Sequence, residues 1–229
     1  MSKAFMLTVI IPNLNGGEGL RALIGQLSKT DVKIILSDGG STDGSLDVAI
    51  AAGARIVSGC CGRGHQLRRG VRLANTEWLL FLHADSELDD KWLSAVTKFI
   101  QRHPKRAGYF QMRFKAKGFA PWFCECAVGL RSLFLKLPYG DQGLLISREH
   151  YDEIGGFSPL PLFEDVDIIR KIGRFRLGCV KSPLCTDASK YERDGYFRRG
   201  WRNIKLARRY YKGEDPADLL RVYNDKMQD

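Results

Sequence analysis

Apolar residues in the first half of the chain fall into short runs separated by stretches of helical spacing. Residues 7–11 (Leu-Thr-Val-Ile-Ile) have the pattern of a buried strand, and 32–37 repeat it. Residues 54–57 and 78–82 give a third and a fourth strand. Between them, 18–29 carry Leu20, Leu23, Ile24 and Leu27 on one helical face, 45–52 read as a helix ending at Gly53, and 66–74 are helical again. Residues 90–102 give a further helix that stops near Pro104. Strands alternating with helices predict an α/β fold, a mostly parallel central sheet with helices on both faces.

The alternation loosens beyond residue 104. Residues 108–116 and 143–147 read as strands, and 119–137 as a helix or helical pair. Residues 197–212 read as a helix with Phe197, Trp201, Ile204, Ala207 and Tyr211 in one stripe. Arg198, Arg199, Arg202, Lys205, Arg208, Arg209 and Lys212 fill its other face. The simplest packing puts the stripe on the domain and the basic face in water. The alternative is a basic amphipathic helix that lies, with the apolar 119–137 segment, on an anionic membrane surface. The expected division is one domain over 1–195 and a basic amphipathic helix with its tail over 196–229.

Composition adds an asymmetry. The chain has 229 residues, 44% of them apolar, enough for one sizeable core. Its net charge of +10 is concentrated: residues 168–212 hold fourteen Lys or Arg against three Asp or Glu. The rest is close to neutral, so an anionic partner is expected at the C-terminal part. The six cysteines show no zinc-knuckle spacing and read as reduced thiols. No signal-peptide pattern precedes Pro12, and no apolar run approaches the ~20 residues of a spanning helix. The expected location is cytoplasmic, with the inner face of the membrane as its variant.

In open parallel sheets, ligands bind beyond the carboxyl ends of the strands. The first strand leads into Pro12, Asn13, Leu14, Asn15, Gly16, Gly17 and Glu18. The second leads into Asp38-Gly39-Gly40-Ser41-Thr42-Asp43-Gly44, where Asp38 can accept bonds from a base or ribose and Asp43 reads as a helix cap. After the third, Arg63 stands between glycines, ahead of Gln66, as an exposed cation able to grip a phosphate; a plain surface turn is the alternative. The fourth runs into His83, Ala84, Asp85 and Ser86. There Asp85 can hold a divalent cation or act as a helix cap, and His83 points the same way if strand geometry continues. The cluster Glu164-Asp165-Val166-Asp167 suits either a helix N-terminus or a base that takes a proton from an acceptor hydroxyl. Gly140, Asp141 and Gln142, ahead of a short strand, can supply hydrogen bonds to an acceptor, while Lys190, Arg193 and Arg198 can reach an anionic group. The dinucleotide fingerprint and the phosphate-cradling P-loop are both absent.

Taken in order, these segments resemble glycosyltransferase family 2 enzymes of the GT-A fold, from Thr8 to about Trp201. Residues 8–15 look like the family's opening strand, and 38–44 like its nucleotide-binding turn. Residues 80–86 occupy the place of its Asp-x-Asp element, with His83 where the first Asp stands. Gly155-Gly156-Phe157 followed by Glu164-Asp165 looks like the acceptor-side Glu-Asp motif. Gly62-Arg63-Gly64 and Gly140-Asp141-Gln142-Gly143 look like a small bacterial subgroup of the family. The resemblance implies an inverting transferase that moves a sugar from a nucleotide-diphosphate sugar, a UDP-sugar being the expected donor, to an acceptor hydroxyl, lipid-linked or otherwise. It further implies Asp165 as base beside Glu164, and Mn²⁺ or Mg²⁺ on Asp85. Imidazole at His83 suits Mn²⁺ better. The donor side would then comprise Pro12, Asn13, Asn15, Glu18, Asp38, Arg63, Gln66, Ala84 and Asp85. A nucleotidyltransferase is the rival enzyme, and a nucleic-acid-binding protein using the basic helix is the rival from another class.

Overall fold

A computed structural model describes residues 6–225 of the chain. The first half follows the expected alternation: β1 (Leu7–Asn13), α1 (Gly17–Leu27), β2 (Lys33–Asp38), α2 (Ser45–Ala51), β3 (Arg55–Ser58), α3 (Arg63–Leu73) and β4 (Trp78–Phe81). The second half adds β5 (Glu87–Leu88), α4 (Trp92–Arg102), β6 (Ala107–Phe114), α5 (Phe119–Leu130), β7 (Leu144–Ser147), α6 (Arg148–Glu153) and α7 (Glu164–Ile172). β8 (Leu177–Thr186), α8 (Ser189–Asp194), α9 (Tyr196–Tyr211) and α10 (Pro216–Asp225) complete it, and α5 runs on into a π-helical turn, Arg131–Leu135.

One sheet runs in the order β3-β2-β1-β4-β7-β6-β8-β5. β1 pairs in parallel with β2 and β4, β2 with β3, and β6 with β8. β7 is antiparallel to both β4 and β6, and β5 to β8. Alternation along β1 shows how the layers form. Val9 and Ile11 bury against α1, α2 and α4, and Ile10 buries against α3, α6 and α7 on the other face. All three are fully buried, so truncating any of them to Ala costs about 2–5 kcal/mol. α3 lies especially close to the sheet: a Cβ at Gly70 would sit 2.6 Å from Ile10 Cγ2. That approach seats the N-terminal end of α3 over the ends of β1 and β2.

Two departures from the sequence pattern bear on the site. α3 begins at Arg63 and not at Gln66, so Arg63 is the first residue of a helix rather than part of an open turn. β8, the longest strand, has no counterpart in the periodicity, because Lys181, Ser182 and Pro183 interrupt its apolar positions. The β6–β8 register shifts between Phe110 and Gln111, which takes up the interruption and tolerates the proline. Among the described residues, no helix is long and apolar enough to cross a membrane.

Candidate active site

The loops after β1 and β2 are laced into one unit. Asn15, in a left-handed conformation at φ 53°, donates its backbone N–H to Ser41 Oγ at 2.9 Å and accepts from Thr42 N at 2.8 Å. Asn tolerates that conformation because its short polar side chain bonds locally. Asp43 accepts from Gly17 N at 2.9 Å and from Ser45, but the cap position of α2 is Gly44, so Asp43 ties the turn together from one residue ahead of it. Asp38 lies beneath this lacing, 1% exposed. Its carboxylate accepts from Gly40 N, Ser41 N, Ser41 Oγ and Asn13 Nδ2. Burial works to raise its pKa, but the bonds from Ser41, Gly40 and Asn13 hold it below the ordinary value. Asp38 therefore shapes the turn and does not line the cleft in front of it. Gln66 is a second staple: its buried amide donates to the carbonyls of Asn13 at 2.6 Å and Ser37 at 3.0 Å. Glu18 points away as an exposed partner of Arg21, so it is not brought to the cleft.

The cleft is open, about 700 Å³, and lies beyond the carboxyl ends of β1 and β4. Pro12, Asn13, Asn15, Arg63 and Gln66 line one side, with Ala84 and Asp85 beside them. Asp85 makes no hydrogen bond or ion pair with another described residue, so its carboxylate is open to the cleft. The segment that carries it is a turn, closed by Ser86 N donating to His83 O at 3.1 Å. Strand alternation ends at Phe81, so the expectation that His83 and Asp85 share a direction through strand geometry fails. The His83 ring instead flanks Gly140 on the side of Asp165: a Cβ on Gly140 would meet His83 Nε2 at 2.8 Å and Asp165 Oδ2 at 3.1 Å. Among the described residues, no three His, Cys, Asp or Glu side chains converge as a ready cage. A single open carboxylate still fits Mg²⁺ or Mn²⁺, which share one or two protein carboxylates with substrate phosphates.

The facing wall comes from α7 and the segment before β7. Asp165 Oδ2 accepts from Gly140 N at 2.7 Å, and Oδ1 accepts from Val166 N at 2.8 Å. These bonds orient the carboxylate and leave lone pairs toward the cleft. Glu164 is nearly sealed at 2% exposed, paired at 3.3 Å with Arg63, whose side chain is 47% exposed. Burial pushes the Glu164 carboxyl up to about 7; Arg63 opposes the shift and Asp165 adds to it. Phe163 precedes them at φ 65° and stacks on Tyr210 of α9 with centroids 4.9 Å apart. Asp141 lines the cleft with a buried Oδ1 that has no hydrogen-bond partner among the described residues, and burial raises its pKa against the pull of Arg131. Gln142 does not fit an acceptor-binding role. It is 2% exposed, and its amide donates to Phe110 O and accepts from Ser132 Oγ and Arg131.

The end of the cleft is closed by residues that strand-end reasoning does not reach. Tyr139, Tyr191, Arg199, Asn203 and Tyr223 line it. Arg199 is 5% exposed; its guanidinium bonds Asp194 and Tyr223, and its Nε has no partner among the described residues. The helix over 196–211 is thus a wall of the cleft. Arg193 and Arg198 are exposed and do not line it, and the Lys190 side chain is outside the described residues.

Comparison with known proteins agrees with this geometry. Residues 8–159 match the model of Glycosyl transferase family 2. A PGL/p-HBAD biosynthesis glycosyltransferase of Mycobacterium bovis (strain BCG / Pasteur 1173P2) is 38% identical over 165 residues, 67% of this chain and 63% of the relative. A protein of the same name from Mycobacterium tuberculosis (strain ATCC 25177 / H37Ra) matches equally. The chain thus spans under two thirds of the length of these relatives. Among solved structures, S. aureus TarS 1-349 in complex with UDP-GlcNAc superposes with a TM-score of 0.63 at 16% identity, over 80% of this chain and 58% of that one. Glucosyl-3-phosphoglycerate synthase from Mycobacterium tuberculosis, with Mn²⁺, UDP and glucosyl-3-phosphoglycerate, gives 0.58 at 20% identity, over 79% and 71%. The architecture is the GT-A fold, a mixed α/β arrangement around one mostly parallel sheet. With the family model matching well over half of its length, this chain is a member of glycosyl transferase family 2.

Proposed function

We propose that the chain transfers a sugar, with inversion, from a UDP-sugar to an acceptor hydroxyl. One observation carries the reading: Asp85 and Asp165, 80 residues apart in sequence, line one cleft with Arg63 and Arg199, beyond the strand ends. Carboxylates facing carboxylates across a cleft that also holds cations suit a diphosphate donor that brings a divalent ion. The UDP complexes of the two structural neighbours support that choice of donor.

The laced turn of Asn13, Asn15 and Ser41 supplies a rigid floor for the nucleoside. Asp85 would hold Mn²⁺ or Mg²⁺, and such an ion, when bound, neutralises the charge of a departing diphosphate. Arg63, anchored by Glu164, and Arg199, with its unpartnered Nε, provide fixed positive charge in the same cleft. Asp165, its two oxygens aimed by Gly140 N and Val166 N, accepts the proton of the attacking hydroxyl. Asp141 Oδ1, buried at the cleft wall, accepts a hydrogen bond from the acceptor. The mycobacterial relatives are named for PGL/p-HBAD biosynthesis. The nucleotidyltransferase reading would need a basic Gly-rich loop after β1, and residues 13–17 hold no Lys or Arg.

Thermal-shift titration of the chain with UDP-, GDP- and dTDP-sugars, with Mn²⁺ or Mg²⁺, tests the reading. A UDP-sugar at a hundred times its dissociation constant stabilises by about 2.7 kcal/mol. No stabilisation by any nucleotide sugar with either ion would overturn the proposal.

A further inference from the structure

α9 turns most of its apolar stripe outward, burying Ala207 of that stripe. Phe197 is 56% exposed, Trp201 54% and Ile204 47%, while Arg199 and Leu206 are buried on the face toward the cleft. The outward stripe is not isolated. α5 packs beside α9, and the Phe123 and Phe197 rings lie 5.6 Å apart. Phe119 touches both Trp122 and Phe123, with centroids at 5.8 and 6.1 Å. The π-helical turn that follows α5 exposes Leu133, Phe134 and Leu135 more than halfway. Exposed apolar side chains normally occur singly on a water-soluble surface, and a set this large and continuous marks an interaction surface.

Charge selects the partner. Residues 195–213 contain no Asp or Glu, and 116–140 contain only Glu125 and none other before Asp141. Glu125 is turned inward onto Arg113 and the Phe114 N–H. Arg198, Lys205 and Arg208 are exposed on the same helix as the stripe, Lys212 is exposed just past its end, and Lys205 lies 5.7 Å over the Trp201 ring. A second copy of this chain would bring cations against cations. A surface of negative headgroups over an apolar interior matches both properties at once.

We propose that the face built by α5, the turn Arg131–Leu135 and α9 docks on an anionic lipid bilayer, aromatic side chains entering the interface and lysines and arginines meeting headgroups. The surface stands on its own geometry. Its use in presenting a lipid-linked acceptor rests on the transferase reading, because α9 faces the bilayer on one side and the cleft on the other. No spanning segment is needed: apolar insertion to the headgroup depth plus several cations gives reversible, salt-sensitive attachment.

Flotation of the full chain with phosphatidylcholine vesicles, with and without phosphatidylglycerol, tests this. The chain is expected to float with the anionic vesicles, to float less at raised salt, and to stay behind with phosphatidylcholine alone. Trp78 and Trp92 are buried, so quenching by brominated anionic lipid reports Trp122 and Trp201. The pair W122E/W201E changes only exposed positions and should lower partitioning at least tenfold while leaving UDP-induced thermal stabilisation intact. Lys205→Gln should lower it about fivefold. UDP stabilisation lost in the parent chain would sink the donor reading and leave this one standing. Equal flotation of W122E/W201E and parent, absence of flotation at low salt, or a dimer that W122E/W201E dissociates without any vesicle binding would overturn the proposal.

Discussion

Replacing Glu164 by Gln should stabilise the protein at pH 8 relative to pH 5, although it deletes an ion pair. The carboxylate is 2% exposed, and desolvating such a group costs several kcal/mol. Its partner Arg63 is about half in water, so the attraction at 3.3 Å is screened and returns only part of that cost. Burial wins, Asp165 next door adds to it, and the carboxyl is pushed up to about 7 from 4.5. Between those two values the unfolded chain has released the proton while the native state still holds it. Stability therefore falls as pH rises from 4.5 through 7, by about 3 kcal/mol in all. Gln carries no such dependence. Whatever its amide gains or loses in the pocket is nearly the same at both pH values and cancels in the comparison. The melting temperature of Glu164→Gln minus that of the parent should then be larger at pH 8 than at pH 5 by roughly 5–10 °C for a chain of this size. Differential scanning at the two pH values measures it. Equal differences would refute the argument, and a larger one at pH 5 would mean that Arg63 overcomes burial.

Asp165→Asn keeps the shape of the side chain and removes its basicity; turnover should fall about 10²–10⁴-fold, with UDP-sugar affinity by calorimetry unchanged. Equal loss of both would make Asp165 structural. Asp85→Ala should abolish the Mn²⁺-dependent part of donor affinity, and unchanged affinity with Mn²⁺ would dismiss it as a ligand. Gly140→Ala drives a methyl toward His83 Nε2 at 2.8 Å and Asp165 Oδ2 at 3.1 Å, so turnover should drop while the far-ultraviolet spectrum and melting temperature stay near those of the parent. Asn15→Ala loses the side-chain bond from Thr42 N, keeps the backbone bond to Ser41 Oγ and puts Ala at φ 53°, costing about 1–3 kcal/mol; Asn15→Gly, free at that φ, should recover part of the loss in a denaturant melt.

The strand-to-helix alternation of the first half was legible because β1, β2 and β4 bury both faces, so apolar runs and the polar loops after them are sharply separated. The same logic found Asn13, Arg63, Asp85 and the 38–44 turn. At Asp38 the strand-end position serves the turn itself, with four donors on its carboxylate. β8 was illegible for a different reason. A strand interrupted by Lys181, Ser182 and Pro183 is possible only because its neighbour β6 shifts register, and no local pattern carries a neighbour's accommodation.

α9 states the limit most sharply. Its sequence holds two stripes at helical spacing, Phe197-Trp201-Ile204 and Arg199-Asn203-Leu206, and periodicity alone ranks the more apolar one as inward. Packing ranks them differently. Arg199 finds Asp194, Tyr223 and the Tyr191 ring on the cleft side, so its burial is compensated there and nowhere else on the helix. Phe163, held left-handed beside Glu164, finds Tyr210 as its stacking partner on the same buried side. Rotating the helix to hide Phe197 and Trp201 would expose those partners and strip the cleft of Arg199 and Asn203. Retaining three large apolar side chains in water is costly for a helix with no other surface to meet, which is why the outward stripe is read as a contact surface and not as a defect of packing.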